Sequence, residues 1–232
     1  MTDTMKRSLS DMKLVSGLTE EQRAPIEKAC RWLRFTNQEQ IIDKQSGARE
    51  IFFIVEGSVR IVNYSLSGRE VTLDDLGPGN HFGDLAAIDG EPRSASVMAL
   101  SDCLLAALPH DHLLGAMERH WSIAFAVMGS LTRIVRASTD RIMDLSTLGA
   151  NNRVHAEILR RARESDAGDN TATITPIPVH SDIASRVSTT RETVARVLND
   201  LARQSLVART KESLVIQDLD RLERMVEYVR GE

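Results

Sequence analysis

Length, composition and charge exclude several classes of protein. The chain has 232 residues, 42% of them hydrophobic and 27% charged, with a formal net charge of −4. This length fits about two domains with separate cores. No apolar run reaches the roughly 18–20 residues of a membrane span and no signal-peptide pattern occurs, so we expect a cytoplasmic protein without membrane contacts. A negative net charge disfavours proteins that coat nucleic acid by bulk electrostatics.

The residue pattern gives no support for a metal site or an enzyme. The two cysteines, Cys30 and Cys103, form no CxxC spacing and no Cys/His cluster. We therefore expect two reduced thiols and neither a zinc site nor an iron–sulfur cluster. The six histidines are scattered, and the one close pair, His110 and His112, is a weak metal motif. No Ser/His/Asp grouping or paired-carboxylate motif is found, so we predict no catalytic residues.

The first segment predicts a β domain over residues 10–112. A short helix near Thr19–Cys30 comes first, and seven of the thirteen glycines then lie between Gly47 and Gly90. Short strands separated by turn residues are typical of an antiparallel sandwich or jelly roll. The predicted strands are Ile51–Val55, Ser58–Tyr64, Val71–Leu76, Ala95–Ala99 and Cys103–Leu108.

The second segment, residues 113–148, has a helical period. Its apolar residues recur in alternating steps of four and three, which is the spacing of a heptad seam. A seam of this length favours a homodimeric coiled coil over a helix that lies on its own sheet. Ser138, followed by Thr139, places hydroxyl groups on the seam. The seam residues are Met117, Trp121, Ala124, Met128, Leu131, Val135, Ser138, Ile142 and Leu145.

The third segment, residues 149–232, predicts a small helical domain with a hairpin, so that the whole chain has an α+β fold. Between Arg186 and Lys211 there are six basic side chains and two acidic ones, a local positive charge that suits DNA. The predicted elements are a helix Arg153–Arg163, a polar loop Glu164–Asn170, an extended piece Thr171–Pro178, helices Ser181–Val187 and Arg191–Gln204, hairpin strands Leu206–Ala208 and Ser213–Ile216, and an acidic amphipathic stretch Leu219–Val229.

Residues 77–95 combine a glycine-rich turn, a short apolar segment and an arginine. A helix N-terminus and a nearby guanidinium together suit a phosphate, and a carboxylate beside them suits sugar hydroxyls. The stretch F-G-D-L followed by P-R-S-A resembles the phosphate-binding cassette of cyclic-nucleotide-binding domains, F-G-E-L…P-R-S-A. The resemblance implies that Arg93 binds the exocyclic phosphate, assisted by Ser94 and the N–H groups of Gly83 and Leu85. Asp84 stands where the family has a glutamate for the ribose 2′-hydroxyl.

Residues 179–201 read as two short helices, each with its own apolar stripe. Thr190 is a suitable N-cap for the second helix, and Arg191, Glu192 and Arg196 fall on its outer side. The run T-R-E-T-V-A-R-V-L resembles the helix-turn-helix of the catabolite activator (Crp-Fnr) family of bacterial transcription regulators. The resemblance implies that Arg191 and Arg196 donate to guanine and that Glu192 accepts from a cytosine amine.

Taken as a whole, the resemblance implies a homodimeric regulator that binds a pseudo-palindromic DNA site, contacts RNA polymerase and responds to cyclic AMP or cyclic GMP. It assigns purine contacts to Ser138 and Thr139, one of them from the second subunit. Two alternatives stay open at this point. The pocket could be degenerate and bind nothing, or the protein could sense through haem, with His81 as an axial ligand. The direction of regulation and the role of the acidic C-terminal stretch are left undetermined.

Overall fold

The computed structural model describes residues 7–230. The chain divides into two compact units at Val135–Arg136. Each unit combines helices with antiparallel sheet, which confirms the predicted α+β class. No described helix is both long enough and apolar enough to cross a bilayer.

The N-terminal unit contains two four-stranded antiparallel sheets. One has the strand order β1-β8-β3-β6 and the other β2-β7-β4-β5. The predicted strands are confirmed to within about a residue, whereas β1, β2 and β6 escaped the sequence analysis. The strands are β1 (Arg31–Phe35), β2 (Gln40–Ile42), β3 (Ile51–Glu56), β4 (Val59–Tyr64), β5 (Glu70–Leu76), β6 (His81–Phe82), β7 (Ser96–Ala99) and β8 (Cys103–Leu108).

Strand β3 is buried on both sides because its side chains alternate between two cores. Phe52 and Ile54 pack between the sheets with residues such as Val59 of the other sheet. Ile51 and Phe53 point the other way, into a core shared with the helices. This central position fixes the end of β3 next to the turn that follows β6.

Both cysteines are buried, and burial raises the pKa of the Cys30 thiol to about 12.

The helices of this part of the chain begin with a 3-10 turn, Lys13–Val15. Thr19 caps the next helix through a capping box with Gln22, as its position before an acidic first turn suggests. The helices are α1 (Glu20–Ala29), α2 (Asp84–Asp89), α3 (His110–Arg119) and α4 (Trp121–Thr147).

A single helix over residues 113–148 is wrong in one respect, because the chain bends at His120, where φ is −131°. The bend allows both helices to reach the same core, with Leu113 of α3 and Ile123 of α4 buried in it. Met117, predicted as the first seam residue, therefore packs against this core from α3. The seam of α4 starts at Trp121.

The C-terminal unit packs helices against a sheet of order β11-β12-β10-β9. The predicted helices and hairpin are confirmed, but the loop expected at Glu164–Asn170 contains β9, which pairs with β10. The elements are α5 (Ala150–Arg163), β9 (Asp166–Gly168), β10 (Thr171–Ile174), α6 (His180–Arg186), α7 (Arg191–Arg203), β11 (Val207–Arg209), β12 (Leu214–Ile216) and α8 (Leu219–Arg230).

Candidate functional site

The turn after β6 requires a glycine. Gly83 has φ of +81°, in the left-handed region that L side chains rarely adopt, and it caps the N-terminus of α2. A Cβ at this position would lie 2.6 Å from Arg93 Nη1 and 3.0 Å from the Glu50 carbonyl oxygen. Gly83 therefore allows the backbone to approach the Arg93 guanidinium closely.

Arg93 is a buried cation held by neutral groups. It is 4% exposed, and it donates from Nη1 to the Gly83 carbonyl at 2.9 Å and from Nη2 to the Glu50 carbonyl at 2.8 Å. Its Cζ lies 5.9 Å from the centroid of the Phe52 ring. Within residues 7–230 its Nε has no hydrogen-bond partner although it is buried. The guanidinium is thus oriented by neutral backbone acceptors.

The electrostatics of Arg93 favour an anion. Burial lowers the pKa of Arg93 below its usual value, and the carboxylates of Glu50 and Asp84 oppose this shift only partly. The Glu50 carboxylate is 4.0 Å from Arg93 and is bound at 2.7 Å by exposed Arg31 instead. A buried, oriented guanidinium of this kind is an efficient partner for a phosphate.

The other predicted cassette residues surround the same turn. Asp84, the first residue of α2, is buried, and its Oδ2 lies 3.9 Å from His81 Nε2. Leu85 and Ser94 are exposed, and the Ser94 carbonyl accepts from Asn63 at 3.2 Å. The structure therefore brings Gly83 and Arg93 into contact and places Asp84 next to them. It also places His81 beside a carboxylate, which the sequence analysis did not anticipate.

Helix α4 presents a long apolar stripe to solvent. Trp121 is 71% exposed and Val135 64% exposed, although both are large apolar side chains. Ile123 and Val127, on the opposite side, are buried in the core of the N-terminal unit. The exposed apolar residues of α4 are Trp121, Phe125, Met128, Ile134, Val135, Ile142, Met143 and Leu145.

The hydroxyl pair expected to contact a purine is also exposed on α4. Ser138 and Thr139 both lie in the part of this helix that belongs to the C-terminal unit. Ser138 follows Val135 by three residues and precedes Ile142 by four, so it continues the exposed stripe. The two hydroxyl groups are thus accessible to a ligand or a second chain.

Helix α7 has the properties of a recognition helix. The Thr190 hydroxyl accepts from the Thr193 N–H at 3.3 Å and caps the helix. Val194 and Leu201 are buried below it, whereas the predicted base-reading residues are exposed above it. Hydrogen bonds from its own backbone N–H and from Thr190 lower the pKa of Glu192, an exposed carboxylate that can act as an acceptor. The exposed residues in question are Arg191, Glu192 and Arg196.

One residue that holds this helix in place was missed. Arg153 of α5 donates to the carbonyls of Leu148 at 2.7 Å, Val187 at 2.8 Å and Ser188 at 3.2 Å. Leu148 directly follows α4, and Val187 and Ser188 form the turn between α6 and α7. Arg153 therefore ties the end of α4 to the helix-turn-helix. Its acceptors are backbone atoms, which leave no trace in a residue pattern.

Comparisons with known proteins match both units of the chain. A model of the cyclic nucleotide-binding domain matches residues 32–120, and a model of the Crp-like helix-turn-helix domain matches residues 152–225. The cyclic AMP receptor protein of Thermus thermophilus is 33% identical over 159 residues, which are 68% of this chain and 70% of the relative. A CRP-like cAMP-activated global transcriptional regulator of Mycobacterium tuberculosis is 24% identical over 95% of this chain and 99% of its own length.

The fold has a solved counterpart along almost its entire length. The structure of a CooA mutant from Carboxydothermus hydrogenoformans superimposes with a TM-score of 0.81 and covers 97% of both chains. The two sequences are 19% identical, so this likeness concerns the fold alone.

Proposed function

The chain belongs to the Crp-Fnr family of transcription regulators, and on this premise we propose that it is a cytoplasmic homodimer whose binding to DNA is controlled by a cyclic nucleotide. Cyclic AMP is the first candidate and cyclic GMP the second. The family consists of DNA-binding regulators and not of enzymes. We also propose that the DNA-bound protein contacts RNA polymerase.

The observation that carries the proposal is the Arg93 guanidinium. A buried charge without a hydrogen-bonded counter-ion is costly, and an anionic ligand would offset this cost. The phosphodiester of a cyclic nucleotide has a single negative charge and matches one guanidinium. Gly83 leaves room beside it, and Asp84 supplies an acceptor for the ribose 2′-hydroxyl. A pocket without a ligand would leave this arrangement unexplained.

The proposed homodimer rests on the apolar stripe of α4. Contiguous exposed apolar surface marks an interface in a globular protein. Within the stripe Trp121, Met128, Val135 and Ile142 recur every seven residues, which suits a parallel copy of the same helix better than a flat surface. The predicted seam residue Leu131 packs against the core of the N-terminal unit instead. We expect light scattering to give the mass of a dimer at micromolar concentration, and a monomer under these conditions would contradict this part of the proposal.

A two-fold dimer presents two copies of α7 to DNA. Such a dimer reads a pseudo-palindromic site with half-sites about one helical turn apart. In each half-site Arg191 and Arg196 would donate to guanine, and Glu192 would accept from cytosine. Replacing Arg196 with alanine should cost about 1–3 kcal/mol of sequence discrimination while leaving nucleotide affinity unchanged.

The experiment that tests the ligand is calorimetric titration of cyclic AMP and cyclic GMP into the full chain. We expect Arg93→Ala to weaken binding by about 2–5 kcal/mol, a factor of thirty or more, because it removes a buried charge-assisted contact. Arg34→Ala is the matched control, since Arg34 is an exposed arginine on β1 of the same unit. Its affinity should equal that of the wild type.

Other outcomes of the same preparation identify the alternatives. Affinity of Arg93→Ala within threefold of the wild type would refute the pocket assignment. If neither nucleotide binds, the alternative of a degenerate pocket would be supported. A Soret band in the purified protein that disappears in His81→Ala would assign haem in place of a nucleotide.

A further inference from the structure

His81 and Asp84 form an unusual buried pair at the edge of the proposed pocket. Their side chains are 8% and 10% exposed, and His81 Nε2 lies 3.9 Å from Asp84 Oδ2. This distance is too long for a hydrogen bond. In the chain from residue 7 to residue 230, neither buried atom has another hydrogen-bond partner. Since buried polar atoms are almost always paired in folded proteins, two facing orphans point to a contact made in another state.

The surroundings keep His81 neutral in the ligand-free protein. Burial lowers the pKa of His81 below its usual value; the Asp84 carboxylate opposes this, and Arg133 of α4 and Lys13 of the 3-10 turn add to it. His81 belongs to β6, which pairs with β3, so the backbone that carries the imidazole is held in the sheet. A neutral imidazole satisfies the Asp84 carboxylate poorly, because a charged donor binds a carboxylate more strongly.

Binding of an anionic ligand changes this balance. Two carboxylates, Glu50 and Asp84, already act on the one guanidinium of Arg93. A cyclic nucleotide adds a phosphodiester anion to these two carboxylates, of which Glu50 is also bound by Arg31, so the local charge becomes more negative. A nearby negative charge favours the protonated form of a histidine. His81, 3.9 Å from Asp84 Oδ2, is placed to take up a proton from solvent and offset the added charge.

We propose that His81 is a positioning residue for Asp84. When the nucleotide binds, His81 takes up a proton and donates it in a hydrogen bond to the Asp84 carboxylate. The inference rests on the proposed function. Aspartate is one methylene shorter than the glutamate of the family motif, and a donor behind it would hold its carboxylate at the ribose. The ligand-bound state thus has a higher His81 pKa than the free state. By linkage, affinity rises as pH falls through the interval between the two values.

The test is calorimetry with cyclic AMP on the full chain from about pH 8 down to about pH 5, because the lowered pKa of His81 in the free protein extends the interval below the ordinary histidine value of about 6.5. Each pH is measured in two buffers with different heats of ionisation, which gives the number of protons taken up on binding. His81→Gln keeps an amide donor but does not titrate. His112→Gln is the matched control, because His112 is an exposed histidine of α3.

We expect the wild type and His112→Gln to take up a fraction of a proton and to bind more tightly at the lower pH. A ligand-induced rise of about one unit in the His81 pKa limits this gain to about tenfold. His81→Gln should bind with a pH-independent Kd and without proton uptake. Asp84→Asn should also lose most of the uptake, since it removes the carboxylate that His81 contacts. This variant tests the proposal even if His81→Gln does not fold.

Three results would overturn the inference, and each differs from a failure of the proposed function. Wild-type binding without proton uptake, uptake retained in His81→Gln, or uptake unchanged in Asp84→Asn would each show that the pair has no such role. In all three cases the nucleotide still binds, so the proposed function stands. Absence of binding at every pH refutes the proposed function itself.

Discussion

The two units bury charge in opposite ways. In the C-terminal unit, the Glu157 carboxylate is 5% exposed and accepts from Arg160 at 2.8 Å and from Arg161 at 2.7 Å, with Arg186 at 3.6 Å. In the N-terminal unit, Arg93 is equally buried, but its hydrogen bonds go to two backbone carbonyls. One buried ion makes direct ion pairs at 2.7 and 2.8 Å, whereas the Glu50 carboxylate lies 4.0 Å from the other.

This difference separates a structural role from a binding role. A buried ion pair with complete partners contributes to a specific packing arrangement, and removing one partner leaves the others unpaired. A buried ion whose hydrogen bonds go to neutral groups can gain a strong charged partner when an anionic ligand binds. We therefore expect substitutions at Glu157 to change folding stability and substitutions at Arg93 to change ligand response.

The largest expected effect is that of Glu157→Gln. This substitution removes the buried carboxylate that three partly exposed arginines share, and breaking a buried ion pair typically costs about 3–5 kcal/mol. The measurement is urea unfolding of the full chain, with hydrogen exchange in α5 and α6 as the readout. Glu164→Gln is the control, because Glu164 also contacts Arg160 but is exposed. The control should lose about 1 kcal/mol or less. Equal losses in both variants would contradict the structural role of Glu157.

The same residue contributes to the pH dependence of the stability of the C-terminal unit. Burial alone would raise the pKa of Glu157, but the hydrogen bond and charge of Arg160, with Arg186 and Arg161, lower it below the usual value. A carboxylate with a depressed folded-state pKa stabilises the protein above its unfolded pKa, and this contribution is lost as pH falls. The free energy of unfolding of the wild type should therefore fall as the pH is lowered through the folded-state pKa of Glu157. That part of the decrease should be absent in Glu157→Gln.

The second effect concerns ligand response at Arg93. A saturating ligand stabilises the native state by about 2.7 kcal/mol at a concentration of 100 Kd. We expect cyclic AMP to raise the Tm of the wild type by the corresponding amount and to leave the Tm of Arg93→Met unchanged. Without ligand, Arg93→Met should lie within about 2 kcal/mol of the wild type, since methionine keeps the packing and removes a buried charge. A full ligand-induced Tm shift in this variant would remove the contrast with Glu157.

The sequence predicts the elements that carry local signals. The capped helices, the glycine-bounded strands and the two motifs all appear where expected, because spacing and capping are properties of neighbouring residues. Strand β1 escaped because its sequence, R-W-L-R-F, contains two arginines, and β2 has only three residues. Both form because β8 and β7 offer free backbone edges, Arg31 pairing with Ala107 and Gln40 with Met98.

Contacts between distant residues account for the remaining differences. The motif predicts the role of Arg93, but the Glu50 carbonyl that orients it lies 43 residues away. Arg153 bonds carbonyls 34 and 35 residues distant. Met117 fits the heptad spacing, yet the demand of a shared core bends the chain at His120. Such features depend on how the elements pack, and no local pattern encodes them.

A third effect is expected at Arg153, which lies neither in the Glu157 ion-pair cluster nor in the proposed nucleotide pocket. Its guanidinium donates to three carbonyls that connect the end of α4 with the turn before α7. Arg153→Ala should cost about 1.5–3 kcal/mol, the usual value of hydrogen bonds with a charged donor. DNA affinity should fall while nucleotide affinity stays constant. The control is Arg203→Ala, because Arg203 is an exposed arginine of α7, whereas Arg161 contacts the buried Glu157.

The smallest expected effect lies outside both buried sites, at the exposed hydroxyl pair of α4. Ser138 and Thr139 are exposed, so replacing them with alanine should leave folding stability within about 0.5 kcal/mol. Nucleotide binding through Arg93 should persist in the double variant Ser138→Ala/Thr139→Ala. A ligand changes DNA affinity only through its different affinities for two states of the protein, a coupling of typically about 1–3 kcal/mol. If the purine contacts these hydroxyls near the end of α4, the double variant loses most of that coupling. Gel-shift titrations with and without cyclic AMP measure it, and a full nucleotide-dependent gain in the double variant would show that the signal does not pass through α4.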